Sequence, residues 1–532
     1  MLADKLRSVS EQAPPVGDFQ YIGSTSANSA TSVTSLACNK PANVATGDQL
    51  VALVMSGATQ AVTSTGWTSQ LAANGRVVLT KLVEAGDGAS YTFSQGTSAT
   101  MGVSILAFRN GIFDQIGAIS SSATPTVAPS ITLTTSAFVI DYIGSSSATT
   151  VTTPDGWFPL LTDATAPDVE ALGRFFTSGA TGTVSVTLSV QARSVLISIK
   201  PTGTMAARFV AAVHGTSPYV SVYPFLENFG FGQRMTSPSP VPGGTGNGVA
   251  FTSSGDAIAI AHNTTGISTY AWSINGFGAR FSDPGTLPAG TGFSVAFNAA
   301  EDTIVVGSGS SPYVSAYPWS TSGFGTIYSN PASLPSGSAN GVSFSPNGAY
   351  VAVAHNNGTC LSIYPWSAGF GTKVTPGGTT LGSPCYSTSF SPDNANVAVS
   401  GNVSPYVAAY PWTGSFGTRY ADPATIPTGT GDSVVFSPSG NYIAVAHTTT
   451  PFISVYDWSS GFGSKYADPA SLASNGRGVE FSDTEETLFL GSASSPFINA
   501  YVWSAGFGAK YANPPTLPPA AVLDVAFCKI VL

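Results

Sequence analysis

Val434-Val-Phe-Ser-Pro-Ser-Gly, Tyr442-Ile-Ala-Val-Ala-His, Phe452-Ile-Ser-Val-Tyr-Asp-Trp and Ser464-Lys-Tyr-Ala-Asp-Pro follow one another along the chain. β-Branched and aromatic residues alternate in each piece. Ser-Pro-Ser-Gly, Thr-Thr-Thr-Pro and Asp-Pro separate the pieces, so the stretch reads as four short strands joined by turns. The phrase recurs. Tyr-x-Trp stands at Trp272, Trp319, Trp366, Trp412, Trp458 and Trp503, with Tyr-Pro-Phe225 ahead of them in the same phase, at spacings of 47, 47, 47, 46, 46 and 45 residues. A second marker, Phe-Gly, keeps step at Phe231, Phe277, Phe324, Phe370, Phe416, Phe462 and Phe507.

Four strands in each of seven such units describe the blades of a β-propeller. The region opens in mid-unit, at Arg208-Phe-Val-Ala-Ala-Val-His214, which matches a second strand. It stops at Val522-Leu-Asp-Val-Ala-Phe527, which matches a first strand. A ring closed by pairing these two ends leaves no orphan face between blades. FSPNGAYVAVAH and ISVYDW resemble WD40 blades, with Tyr-Pro-Trp or Tyr-Asp-Trp standing where those carry Trp-Asp. The Gly-His dipeptide of that family is missing, so its buried polar network is not carried over.

Composition agrees with an all-β chain. Of 532 residues only 8% are charged, against roughly 25% in ordinary soluble domains, and 58 Gly and 37 Pro take their place. That excludes a mainly helical fold. The formal net charge of −9 with no basic run argues against nucleic-acid binding, and no apolar stretch has the length of a membrane-spanning helix. The opening MLADKLRSVSEQAPPVG lacks the apolar core of a secretory signal, so synthesis in the cytoplasm is expected. Cys38, Cys360, Cys385 and Cys528 have no metal-type spacing. Free thiols are the expectation, although Cys360 and Cys385 fall on one face of a WD40-like ring.

Residues 18–202 have another pattern. Strand-like runs at Gly47-Asp-Gln-Leu-Val-Ala-Leu-Val, Arg76-Val-Val-Leu-Thr-Lys-Leu-Val and Val103-Ser-Ile-Leu-Ala-Phe are echoed by Ala137-Phe-Val-Ile-Asp-Tyr-Ile, Ala171-Leu-Gly-Arg-Phe-Phe and Val195-Leu-Ile-Ser-Ile-Lys. Trp67 and Trp157 take equivalent places. The expected organisation is a polar arm (residues 1–17), an antiparallel β-sandwich with jelly-roll-like connection (18–202) and a seven-bladed β-propeller (203–532). Two small domains in place of one sandwich remain an alternative.

Few residues are placed for chemistry. His214, His262, His355 and His447 all end second strands, where the other units have Ser308, Gly401 and Ser492. Lying on different blades, they cannot converge on one metal ion. They read as imidazoles tying a loop between two strands, or else as a polar ring at one propeller mouth. Arg234, Arg280, Lys373, Arg419, Lys465 and Lys510 follow each Phe-Gly by a fixed step, with Ile327 as the exception. On exposed outer strands such cations suppress edge-to-edge pairing; the functional alternative is a basic rim for anionic polysaccharide. Glu301-Asp302 and Glu485-Glu486 read as turn charge. Asp283, Asn330, Asp422, Asp468 and Asn513 precede prolines as turn formers. No hydrolase, metalloprotease or phosphate-loop motif occurs. No cofactor and no metal are expected.

The segment Gly47-Asp-Gln-Leu-Val-Ala-Leu-Val…Gly66-Trp67…Lys81-Leu-Val-Glu-Ala-Gly-Asp…Ile105-Leu-Ala-Phe-Arg and the repeats SPYVSVYPW…GFG…YADPA…LP resemble virion proteins of tailed bacteriophages, especially tail-fibre and host-attachment components. The resemblance implies a non-enzymatic structural protein located in the virion. It would be held to other virion proteins by its N-terminal region, be homo-oligomeric on the particle, and present the propeller to a host polysaccharide or receptor without membrane insertion. A capsid decoration or head-fibre protein, and a polysaccharide-degrading tailspike-type enzyme, are the alternatives.

Overall fold

The computed structural model describes residues 18–532 apart from 59–60, 122, 163–164, 265, 378–379 and 472–473, so the expected arm, residues 1–17, lies outside the described residues. Among these residues the regular elements are β-strands, paired antiparallel, and no helix is long and apolar enough to cross a membrane. Chain contacts divide the protein into two compact units. One runs to Ala207 and includes 226–229 and 531–532; the other comprises Arg208–Phe225 and Gly230–Ile530.

The first unit is a duplication. Its larger sheet orders the strands Gln20–Asn39, Ser90–Arg109, Gln49–Ser56, Arg76–Leu82 and Thr68–Ala73. The second orders Gly111–Ile116, Arg193–Pro201, Ala137–Ser145, Asp168–Phe176 and Phe158–Thr162, which is the same sequence of equivalents. Each half of the chain therefore builds its own sheet. In a jelly roll the two sheets draw strands from both halves, so that expected connection is corrected. The two sheets meet at Phe108 and Phe138, whose ring centroids lie 6.0 Å apart, and where the Tyr142 hydroxyl donates to the Val54 carbonyl at 2.6 Å.

Among the described residues the second unit contains seven small sheets. Six begin at the inner strands Gly246–Phe251, Gly292–Phe297, Ala339–Phe344, Cys385–Phe390, Gly431–Phe436 and Gly476–Phe481. The seventh places Val522–Val531 beside Ala206–His214, followed by Val220–Leu226 and Gly230–Phe231. Two sheets depart from the four-strand expectation. Those starting at Ala339 and Cys385 have three strands, and their outer edge shrinks to the isolated bridges Trp366–Phe370 and Trp412–Phe416.

Strand Tyr442–His447 shows why the repeats read as they do. Both of its faces are covered, so Ile443 to Ala446 are apolar and their side-chain sizes alternate. Ile443 and Val445 pack with Val434, Phe436, Tyr456 and Trp458 on one side. Ala444 and Ala446 leave room on the other for Val479, Phe481, Leu488 and Leu490 of the following sheet. Large side chains of one sheet fill the space that the alanines of its neighbour leave. The phased Trp residues lie in these seams, each at most 9% exposed. Trp319 meets Phe281 of the preceding sheet edge-on at 5.0 Å, and Trp458 and Trp503 meet Tyr420 and Tyr466 in the same way at 5.3 and 5.2 Å. Such pairs contribute roughly 0.5–1.5 kcal/mol beyond their buried area.

Candidate functional site

Where six of the inner strands pair with their second strands, the register slips. The slips fall between Gly246 and Gly248, Gly292 and Ser294, Ala339 and Gly341, Cys385 and Ser387, Gly431 and Ser433, and Gly476 and Val479. A β-bulge leaves its extra residue out of the ladder and re-aims its side chain. The residues freed in this way are Asn247, Phe293, Asn340, Tyr386 and Asp432, with Arg477 in the wider slip. All six border the same cavities, of about 440 and 490 Å³, together with Leu523 of the last strand. One residue from each of the seven inner strands thus surrounds one space.

The polar members are held in place. Asn247 and Asn340 each donate an Nδ2 hydrogen to a carbonyl of the next inner strand, Gly292 and Cys385, at 2.8 Å. Arg477 pairs with Asp432 of the preceding sheet at 2.8 Å. Asn402, Thr430 and Thr448, from the loops around the mouth, line the wider cavity, and the Thr430 hydroxyl donates to Asn402 Oδ1 at 2.6 Å.

Deeper in the space stand two carboxyl groups that break the repeat. Glu480 occupies a position filled elsewhere by Ala250, Ala296, Ser343, Ser389, Val435 and Ala526. Burial pushes its carboxyl up to about 8, and the neighbouring Asp524 adds to the shift. Asp524 is pushed up to about 7 by burial, against the hydrogen bonds it accepts from the backbone of Val249 and Val525. Both side chains remain partly accessible from the cavity. Neither residue was singled out in the sequence. A comparison of the seven inner strands position by position would have found both, since they carry charge where the other units are small or apolar.

The phased histidines are elsewhere and are not open to a ligand. All four are fully buried. In His214 and His355 the Nδ1 lies 2.8 and 2.7 Å from the carbonyls of Thr216 and Asn357, which only accept, so Nδ1 carries the proton. Their Nε2 atoms then accept from the hydroxyls of Ser221 and Ser362 at 3.0 Å. His262 is the opposite tautomer, because its Nδ1 accepts from the Thr264 amide and its Nε2 donates to Ser268 at 2.9 Å. His447 bonds Ser454 at 3.0 Å. Burial lowers His214, His355 and His447 to about 4, so these rings are neutral. A mouth-lining polar ring is therefore corrected: the rings are too deeply enclosed.

The expected basic rim changes in the same way. Arg234, Arg280, Lys373, Arg419, Lys465 and Lys510 are half-buried rather than exposed. Arg280, Arg419 and Lys465 are ion-paired with Asp283, Asp422 and Asp468 three residues on, and their side chains are 26, 16 and 14% exposed. Lys510 donates to Asn513 and Lys373 to the Leu334 carbonyl. The Asp-Pro turns thus neutralise Arg280, Arg419 and Lys465, and Arg280 reaches on to Ser268, the partner of His262, at 3.2 Å. These three are therefore not free to attract polyanions.

The acidic pairs are turn residues with a specific task. Glu301 accepts from the backbone and hydroxyl of Ser254 in the preceding sheet's turn, and Glu485 does the same with Ser439. Asn394 takes this role toward the Asn347 amide at 2.9 Å. Cys360 and Cys385 are bonded to each other, with Cα atoms 5.5 Å apart, so the expectation of free thiols is corrected. They join two successive sheets at the level where other units have an aromatic residue of positive φ, such as Tyr406 or Phe452. Cys38 and Cys528 are free and buried. Among the described residues no group of His, Cys, Asp and Glu is arranged to hold a metal ion.

No protein-family model matches the sequence, and no curated protein does. Solved structures that resemble it include a candidate 6-phosphogluconolactonase from Bacteroides uniformis, at 14% identity and a TM-score of 0.47 over 60% of this chain and 99% of that one. A periplasmic gluconolactonase from Pseudomonas aeruginosa gives 13%, 0.45, 61% and 99%. A functionally unknown protein from Desulfotomaculum acetoxidans gives 13%, 0.46, 60% and 98%. The expectation of a non-enzymatic protein is withdrawn here. The cavity gathers Asp432, Glu480 and Asp524 beside Arg477, a carboxyl cluster that no linear motif announced.

Proposed function

We propose that the chain is a particle-borne attachment protein of the tailed-bacteriophage virion class. In this reading its seven sheets close as a seven-bladed β-propeller that is displayed outward. The N-terminal unit, a duplicated β-sandwich, holds the chain to other virion proteins. The observation that carries the reading is the set of contacts between the first and last repeats. Val522–Val531 shares a sheet with Ala206–His214, and Tyr511 packs edge-on against Phe225 at 5.2 Å. Asp524 accepts from the Val249 amide at 3.1 Å, and Arg208 pairs with Asp483 at 2.7 Å. A closed ring has no open seam between sheets, and it puts all its variable loops on a rigid scaffold, which suits recognition at a surface.

The test uses intact particles and the full chain. Antibodies against the repeat unit should decorate unbroken particles, and the purified chain should block adsorption to host cells. Labelling confined to the N-terminal unit would overturn the proposed polarity; failure to compete would overturn attachment. Capsid decoration without a receptor predicts label at the head and no competition.

A hydrolytic reading has an observation of its own. A carboxyl that stays protonated near neutral pH, as Glu480 does at about 8, is suited to general-acid catalysis. Saccharide or lactone hydrolysis lost in Glu480→Gln would establish it. Unchanged polysaccharide and lactone after incubation with the full chain would remove it.

A further inference from the structure

The seven inner strands form an internal alignment. One position is Phe in every strand, from Phe251 to Phe527, and another is Val in six of the seven, from Val249 to Val525, with Thr388 as the exception. These residues pack the seams, and identical seams ask for identical residues. The bulge position behaves differently: Asn247, Phe293, Asn340, Tyr386, Asp432, Arg477 and Leu523. Seam packing does not ask for this diversity, because six of these residues fall at slips in the ladder and all seven line the shared cavity.

We propose that this cavity is the ligand site of the protein and that its ligand is an uncharged saccharide segment. The inference rests on the attachment reading above and names the class of molecule recognised. Size, chemistry and charge each support it. A volume of about 490 Å³ falls in the range of small-molecule sites, roughly 300–1,000 Å³. Each mouth asparagine uses one Nδ2 hydrogen on the neighbouring strand, which fixes its amide and leaves a donor and the Oδ1 acceptor for hydroxyl groups. Phe293 and Tyr386 are partly exposed aromatic rings that alternate with the two amides around the mouth, offering apolar faces to the C–H side of a sugar ring. Thr430, Thr448 and Asn402 extend the hydroxyl and amide lining outward. The Arg477 and Asp432 charges answer each other, so an anionic ligand would have to displace Asp432 and a cationic one Arg477. An uncharged polyol meets neither cost.

The test is calorimetric titration of the full chain with neutral hexasaccharides of glucose, galactose and mannose. A hexauronate and a hexamer of glucosamine serve as charged comparators. We expect one-to-one binding of at least one neutral hexasaccharide, weakened tenfold or more in Phe293→Ala and in Tyr386→Ala. Lys465→Gln, on the outer edge, should leave it unchanged. Unaltered thermal transitions of the two aromatic variants will show that folding is preserved. The proposal is overturned if no neutral hexasaccharide binds at millimolar concentration, if a charged comparator binds more tightly than every neutral one, or if both aromatic variants bind as the parent does. Adsorption to host envelopes that survives in both variants would leave attachment standing and remove this site. Saccharide binding at the cavity by a chain that does not adsorb would do the reverse.

Discussion

The two halves of the first unit share a strand order and little else, whereas the sheets of the second unit repeat almost residue for residue. In the first unit the long strands Gln20–Asn39 and Ser90–Arg109 have broken equivalents in the other half, and Trp67 meets Tyr91 and Phe93 where Trp157 meets Phe176. Buried polar groups there are individual: Asp141, fully enclosed, has no hydrogen-bond partner for either oxygen among the described residues, and burial raises it well above the carboxylate range. In the second unit buried polar groups come as pairs, and six of the seven repeats pair them in a matched way, with Ser308 and Ser315 as the exception. His is matched by Ser at 214/221, 262/268, 355/362 and 447/454; Gly401 is matched by Ala408; Ser492 is matched by Asn499, which donates to it at 3.2 Å. A duplicated pair of sheets has one common interface and can diverge around it. Each stacked sheet packs against the next, so changes at this pair mostly come with a partner; Ser308, which keeps Ser315, is the exception.

The contrast is broken most severely where the first and last repeats share a sheet. Removing residues 520–532 should abolish the thermal transition of the repeat unit while that of the first unit persists, as calorimetry of the full and shortened chains would show. A shortened chain with both transitions intact would mean that the seams are independent. The next effect is local to one seam. Cys360→Ser or Cys385→Ser should cost about 3 kcal/mol in denaturant unfolding, the value for closing a loop of this length. Added reductant should reproduce that loss in the parent and not in the variants.

The paired variation is sharpened by copying one unit into another. His355→Gly alone strands the Ser362 hydroxyl and should cost about 2 kcal/mol, whereas His355→Gly with Ser362→Ala, the Gly401/Ala408 solution, should cost less than the two single changes together. The pH dependence has a definite sign. A buried histidine lowered to about 4 binds fewer protons folded than unfolded. Its contribution is therefore present above pH 6.5 and is lost as pH falls through 4, on the order of 3 kcal/mol per ring. The cavity carboxyls act in the opposite direction. Glu480 at about 8 favours the folded state at low pH, and that contribution is lost as pH rises from the ordinary carboxylate range through 8. Glu480→Gln should raise stability by about 2 kcal/mol at pH 8 and leave it unchanged at pH 4. The effect is smaller than the full shift implies, because the side chain reaches the water of the cavity.

Much of the repeat unit was legible because its signals are periodic. Tyr-x-Trp, Phe-Gly and the alternating runs recur at near-constant spacing, and the half-unit at each end pointed to their common sheet. The duplication of the first unit was legible for the same reason, but its strand order was not, since the pairing partner of a strand such as Ala137–Ser145 depends on chain crossing and not on its own residues. The cations were misjudged as exposed because a linear reading saw their phase on an outer edge. It did not see that an aspartate three residues on folds back to Arg280, Arg419 and Lys465, or that Lys373 and Lys510 turn to a carbonyl and an asparagine.

By itself, the sequence determined an all-β chain and the seven-fold periodicity of its second unit, because strand alternation and turn residues are written in neighbouring positions. It also placed the seam residues, whose identity is dictated by a packing environment that repeats. Only the tertiary structure decided which residues share the cavity lined by the inner strands. Asn247 and Leu523 are far apart in the chain and differ in chemistry, and they come together because a slip in register recurs at the start of the inner strands. The same holds for Glu480 with Asp524 and for Cys360 with Cys385. Their juxtaposition follows from how successive sheets stack, a relation that no local pattern encodes.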